Sequence, residues 1–193
     1  VLFYDESGGG VTFSGGEPLL QSDFLLAMLT KCRGREIHTA VDTMGYSDRN
    51  IILEVARYTD LFLFDLKLMD PVRYLEYVGV PNAGILNNVK VLDEKGYDVL
   101  IRIPLVPEIN NDRENLDKTG EFIVSLSTIR SVSILPYHDS SAEKYRRFGI
   151  ENRMSGLNSC GRSSEWTGLS VEEAVGLLEG YGLDVKSEPP GKT

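Results

Sequence analysis

Short apolar runs alternate with stretches of helical periodicity along the whole chain. Gly10-Val11-Thr12-Phe13 leads into Leu19, Leu20, Phe24, Leu25, Met28 and Leu29, whose spacing predicts a helix over 19–32 closed by Gly34. Ile37–Asp42 alternates and is rich in β-formers, and Ser47 or Asp48 can cap a helix over 49–58. Leu61-Phe62-Leu63-Phe64 is continuously apolar, the pattern of a strand buried on both faces of a parallel sheet. Asp70-Pro71 opens a short helix to Tyr77, and Asn82 or Ala83 begins another to Lys95, closed by Gly96. Val99–Ile103 is the next strand, ended by Pro104 and Pro107, and Asn110-Asn111-Asp112 caps a helix over 113–126. Val132–Leu135 reads as a strand, Ala142–Phe148 as a short helix in a loop-like stretch over 139–168, Val171–Tyr181 as a helix and Leu183–Lys186 as a closing strand. A strand followed by a helix, repeated five times, predicts an α/β fold with a parallel sheet, either a barrel or an open doubly wound sheet.

Composition narrows the function classes. The 193 residues suit one domain over 1–187, with a frayed tail over 188–193 that holds two prolines and no apolar anchor. A net charge of −9 with no basic block argues against sequence-independent nucleic-acid binding. No apolar run approaches the roughly 20 residues of a spanning helix. The start, Val1-Leu2-Phe3-Tyr4-Asp5-Glu6, has no basic region before an apolar one, so it is read as a cut inside a longer protein and not as a leader. Two cysteines, Cys32 and Cys160, lie far apart and form no disulfide framework, which fits a reducing, cytoplasmic setting. Cys32 falls on the apolar face of its helix and reads as a core residue.

The chemistry collects at the C-terminal strand ends, where parallel α/β sheets bind ligands. These ends are Ser14-Gly15-Gly16-Glu17, Asp42-Thr43, Asp65-Leu66-Lys67, Arg102 and His138. Two glycines let backbone N–H groups approach a ligand, and Glu17 sets a carboxylate beside them, a pairing suited to an amino-acid-like group. The same glycines would also serve as a plain bulge between strand and helix. Asp42 and Asp65 end neighbouring strands, so a cation, a proton or a donor must lie between them. Their oxygens suit a hard cation; the other reading has Asp42 capping a turn and Asp65 paired with Lys67. Lys67 lies two residues beyond Asp65 and so points the same way along an extended chain. Arg102 matches a carboxylate or a peptide carbonyl, or else forms a buried ion pair. His138 reads as a ligand or a hydrogen-bonded loop residue, and His38, well before its strand end, as structural.

The pattern resembles the radical S-adenosylmethionine enzymes, and more narrowly the glycyl-radical-enzyme activating enzymes typified by pyruvate formate-lyase activating enzyme. The resemblance rests on Gly9-Gly10-Val11-Thr12-Phe13-Ser14-Gly15-Gly16-Glu17-Pro18-Leu19-Leu20-Gln21, on His38–Gly45 and on Leu63-Phe64-Asp65-Leu66-Lys67. Ile101-Arg102, Val106-Pro107 and Leu135-Pro136-Tyr137-His138 complete it. It implies a partial (β/α)6 barrel whose first strand and cluster loop would precede Val1. It implies S-adenosyl-L-methionine bound by Gly15, Gly16, Glu17, Asp42, Lys67 and His138, with a monovalent cation at Asp42, Thr43 and Asp65. Arg102 and Asp70 would face the glycine loop of a glycyl radical enzyme. The family reduces S-adenosylmethionine through a 4Fe-4S cluster, fed by flavodoxin or ferredoxin, and abstracts hydrogen from a glycine Cα. Asp70 stands where pyruvate formate-lyase activators tend to carry Asn, and Tyr74 where many activators carry His, which leaves the partner enzyme open. Cluster iron needs closely spaced thiolates, Cys-x3-Cys-x2-Cys in this family, and two distant cysteines cannot supply them. The chain is therefore expected to be a C-terminal piece of an activating enzyme, inactive alone. A cluster-free barrel that binds a nucleoside or amino-acid ligand, or another peptide-modifying radical enzyme, is the competing expectation.

Overall fold

Six strands, β1 (Gly10–Phe13), β2 (His38–Thr43), β3 (Leu61–Asp65), β4 (Val99–Leu105), β5 (Ser131–Pro136) and β6 (Asp184–Ser187), pair in chain order. Every pairing is parallel. The computed structural model describes residues 9–137 and 168–187. His138, Cys160, the helix expected over 142–148, the leading segment and the tail over 188–193 lie outside the described residues. A strand order that never reverses means every crossover winds the same way, as in a barrel; a doubly wound sheet would reverse partway. The arrangement is therefore the open, partial barrel.

The connecting helices are α1 (Ser22–Arg33), α2 (Arg49–Ala56), α3 (Pro71–Val78), α4 (Ala83–Glu94), α5 (Arg113–Val124) and α6 (Val171–Glu179). Asp70 caps α3, with Pro71 in its first turn and Gly79 in the left-handed conformation at its end. Ser170 and Glu173 form a capping box on α6. Phe62, Phe64, Ile101 and Ile103 alternate along β3 and β4 onto the face that packs in the hydrophobic core with helix residues such as Ile85, Val89 and Leu116. The intervening residues, Asp65 and Arg102 among them, are half-buried on the opposite face.

Two local expectations are corrected. β4 continues through Pro104, opposite Leu135, to Leu105, where proline was expected to end it; the Pro104 carbonyl is taken by the Asn110 side chain. Residues Pro18–Gln21 form a 3-10 turn before α1 begins. Three residues per turn shift the phase of the stripe, so Leu19, Leu25 and Leu29 are buried while Leu20 and Phe24 are each 66% exposed.

Candidate functional site

The ends of β1 to β4 surround a cavity of about 240 Å³. Its walls are Ser14, Gly15 and Gly16 after β1, Asp42, Thr43 and Met44 at the end of β2, Asp65 and Lys67 at β3, and Arg102 of β4. Register explains the convergence. Asp65 lies directly opposite Arg102, and Asp42 opposite Leu63, two residues before Asp65 on the same face. Lys67, two residues beyond Asp65, keeps to that side between Leu66 and Leu68, each only 3% exposed.

Gly15 adopts φ +143°, a backbone region that favours glycine, and a Cβ added to Gly15 or Gly16 would meet nothing within 4 Å. The bared backbone therefore faces open cavity. Gly45, at φ +75° just beyond Met44, has the opposite surroundings, since a Cβ there would sit 2.1 Å from the Phe64 ring.

The Arg102 guanidinium bridges the two carboxylates. Its Nε and Nη2 donate to Asp65 Oδ1 at 2.9 and 2.7 Å, and Nη2 also donates to Asp42 Oδ1. Ser14 Oγ donates to the other Asp42 oxygen at 3.0 Å. Arg102 thus forms the buried ion pair that was one of its two expected roles, and Asp65 pairs with it and not with Lys67. Burial pushes the Asp65 carboxyl up; Arg102 and, more weakly, Lys67 offset part of that rise, and the Asp42 charge adds to it. Burial works against the Arg102 charge, yet Asp65 and Asp42 together hold the guanidinium above its ordinary value. Among the described residues, no group of three or more His, Cys, Asp or Glu forms a metal site.

Glu17 bonds to residues on both sides of the strand edge. Its carboxylate accepts from Leu19 N at 3.1 Å, from Thr43 Oγ1 and from Met44 N at 3.0 Å, so it caps the 3-10 turn and ties it to the end of β2. Thr43 Oγ1 in turn accepts from Gly45 N at 2.8 Å. Asp70 uses its carboxylate on Val72 N and Arg73 N. Tyr74 is fully buried with its hydroxyl 4.0 Å from the Met44 sulfur. Burial, aided by the negative charge of Asp65 and Glu17, pushes its phenol up to about 12.

Sequence reasoning did not single out Ser14 or Met44 for a role, although both stand within the quoted motifs. It also read Asn110 and Asn111 as caps. Only Asp112 caps α5; both asparagines turn inward and are 2% exposed. Three capping residues in a row leave two without a cap to make, which is the signal that could have exposed them.

A family model described as the Radical SAM superfamily matches residues 2–119. A trans-4-hydroxy-L-proline dehydratase activating enzyme from Clostridioides difficile is 46% identical over 147 residues, covering 75% of this chain and 48% of that protein. A pyruvate formate-lyase-activating enzyme from Listeria monocytogenes serovar 1/2a is 38% identical over 163 residues, covering 81% and 66%. The chain thus spans about half the length of the first and two thirds of the second. The crystal structure of a domain of pyruvate-formate lyase-activating enzyme from Bacteroides vulgatus ATCC 8482 superposes with TM-score 0.74 at 34% identity, covering 94% of this chain and 99% of that one.

Proposed function

The chain belongs to the radical SAM superfamily, within its glycyl-radical-enzyme activating group, and we propose that it forms the part of an activase that binds S-adenosylmethionine and faces the glycyl radical enzyme. The observation that carries this is the convergence of bared Gly15–Gly16 backbone, the Lys67 ammonium and two carboxylates on one cavity at the C-terminal strand edge. The donor set fits the zwitterionic end of S-adenosylmethionine: Lys67 and the glycine amides for its carboxylate, and Asp42 for its ammonium. Glu17, next after the glycines, ties the 3-10 turn Pro18–Gln21 to the end of β2. His138, expected to contact the same ligand, lies outside the described residues. When bound and reductively cleaved, S-adenosylmethionine supplies the radical chemistry of the family.

A monovalent cation at Asp42, Thr43 and Asp65 would require Arg102 to release its carboxylates, because the guanidinium already occupies their midpoint. That release would also free Arg102 toward a partner's glycine loop, which Asp70 would face as well. The residues do not fit the 4Fe-4S cluster. The sequence holds two cysteines, and Cys32 is buried in the core at 8% exposure. An electron donor of the flavodoxin or ferredoxin kind would serve the family's cluster and not the residues of this cavity. Cysteine usage supports a cytoplasmic setting, and among the described residues no helix is long and apolar enough to cross a membrane.

Calorimetric titration with S-adenosylmethionine, beside thermal melts, tests the reading. Lys67→Met is expected to weaken binding about tenfold, the worth of one charge-assisted hydrogen bond, at a nearly unchanged melting temperature. Methionine or adenosine binding as tightly as S-adenosylmethionine would favour the simple ligand-binding barrel. Unchanged affinity in Lys67→Met would refute the assignment.

A further inference from the structure

No side-chain hydrogen bond or ion pair holds the Lys67 ammonium among the described residues. Its place at the cavity is set through its backbone, and that backbone is clamped by buried asparagines from elements distant in sequence. Asn110, in the loop after β4, donates from Nδ2 to Lys67 O at 2.7 Å and to Pro104 O at 2.6 Å, and accepts on Oδ1 from Val106 N at 2.6 Å. Asn115 of α5 accepts from Met69 N at 2.9 Å and donates to Asn110 O at 2.9 Å, locking the first clamp in place. Asn82 donates to Met69 O at 3.0 Å. On the other side, Leu66 N donates to Arg102 O at 2.9 Å.

Asn82, Asn110 and Asn115 are 2–4% exposed. A buried amide costs free energy unless its polar atoms are paired, so a loop gains little from three of them unless its exact course matters. The course of this loop decides where the Lys67 ammonium stands at the cavity. A carboxylate contact weakens steeply with misplacement of its donor.

We propose that Asn110, held by Asn115, is a positioning residue for ligand binding: it sets the Lys67 ammonium at the cavity by clamping the Lys67 carbonyl. The proposal rests on the reading of the cavity as an S-adenosylmethionine site, and its test separates the two. Asn110→Asp keeps the acceptor for Val106 N and replaces both N–H donors with an oxygen facing two carbonyls. The probe is S-adenosylmethionine, titrated into wild type, Lys67→Met, Asn110→Asp and the double variant. Asp93→Asn, at the opposite edge of the sheet, serves as a destabilised control. Asn110→Asp is expected to weaken binding about tenfold, like Lys67→Met, and the double variant to lie within about twofold of Lys67→Met alone, because residues acting through one contact are not additive. Asp93→Asn is expected to bind as wild type does despite a lower melting temperature. Wild-type affinity in Asn110→Asp, or independent losses that multiply in the double variant, would overturn the proposal.

Hydrogen exchange at the Lys67 to Asp70 amides gives a readout free of ligand. Exchange about tenfold faster in Asn110→Asp than in Asp93→Asn, at matched global stability, supports the clamp; equal exchange overturns it. If wild type fails to bind S-adenosylmethionine, the functional reading falls and exchange alone decides the clamp. Should Asn110→Asp not fold, Asn115→Asp, which loses only the donor to Asn110 O, replaces it with the same two readouts.

Discussion

Replacing Arg102 with methionine leaves Asp42 and Asp65 facing each other with no counter-charge between them. The side chains of Arg102, Asp42 and Asp65 are 14%, 22% and 19% exposed, so solvent screens them only in part. At a charge separation of about 4 Å and an effective dielectric constant near 20, each pair attracts by about 4 kcal/mol before desolvation. Removing one partner of a buried pair typically costs about 3–5 kcal/mol, because the remaining charge is stranded. Partial exposure favours the lower end, so Arg102→Met is expected to lose about 3 kcal/mol in urea unfolding at pH 7.5. The pH dependence adds a second check. Burial already raises the Asp65 carboxyl, and losing Arg102 removes the largest offset, so it rises further. A carboxyl raised in the folded state is fully compatible with folding below its unfolded value and becomes a burden as pH rises through its folded value. The deficit of Arg102→Met relative to wild type should therefore shrink between pH 7.5 and pH 5, and Asp65→Asn added to Arg102→Met should recover much of it. A deficit under 1 kcal/mol at pH 7.5, or one that grows on acidification, would show that the guanidinium is not the counter-charge of this pair.

Asp93 is 4% exposed and accepts from Ser127 N, Thr128 N, Thr128 Oγ1 and Ile129 N, closing the turn before β5. Burial alone would raise its carboxyl, but these donors outweigh it and hold the group below its ordinary value, so its contribution is present above the unfolded value and lost as pH falls through the folded one. Asp93→Asn should cost about 3 kcal/mol in urea unfolding at pH 7 and less near pH 3; an equal loss at both would sink this account. Gly45→Ala combines a left-handed φ with a Cβ driven into Phe64, and about 2–4 kcal/mol of destabilisation is expected by thermal melt, whereas a neutral substitution would mean that Phe64 has room to move.

The strand ends were legible because a strand's side chains alternate with period two. That local rule alone places Asp65 and Lys67 on one side of β3 and brings the ends of successive parallel strands to one edge. The capping of α3 by Asp70 and of α5 by Asp112 was likewise local, since a cap bonds within three residues of itself. The exposure of Leu20 and Phe24 was not legible, because it follows from a 3-10 turn at Pro18–Gln21 that no residue type in the stretch distinguishes from the first turn of the helix.

By itself, then, the sequence determined, over the described residues, the succession of strands and helices, the parallel α/β class and the set of ionisable residues delivered to one edge, all of which follow from periodicity within a few residues. The tertiary structure decided which partner each polar group takes. Arg102 bridges to Asp65 across 37 residues and to Asp42 across 60, Glu17 bonds to the end of β2, and Asn110 reaches back 43 residues to Lys67. A buried polar atom must pair with whatever the packed fold brings within about 3 Å, and that neighbour is set by strand register and loop course, which no local pattern encodes.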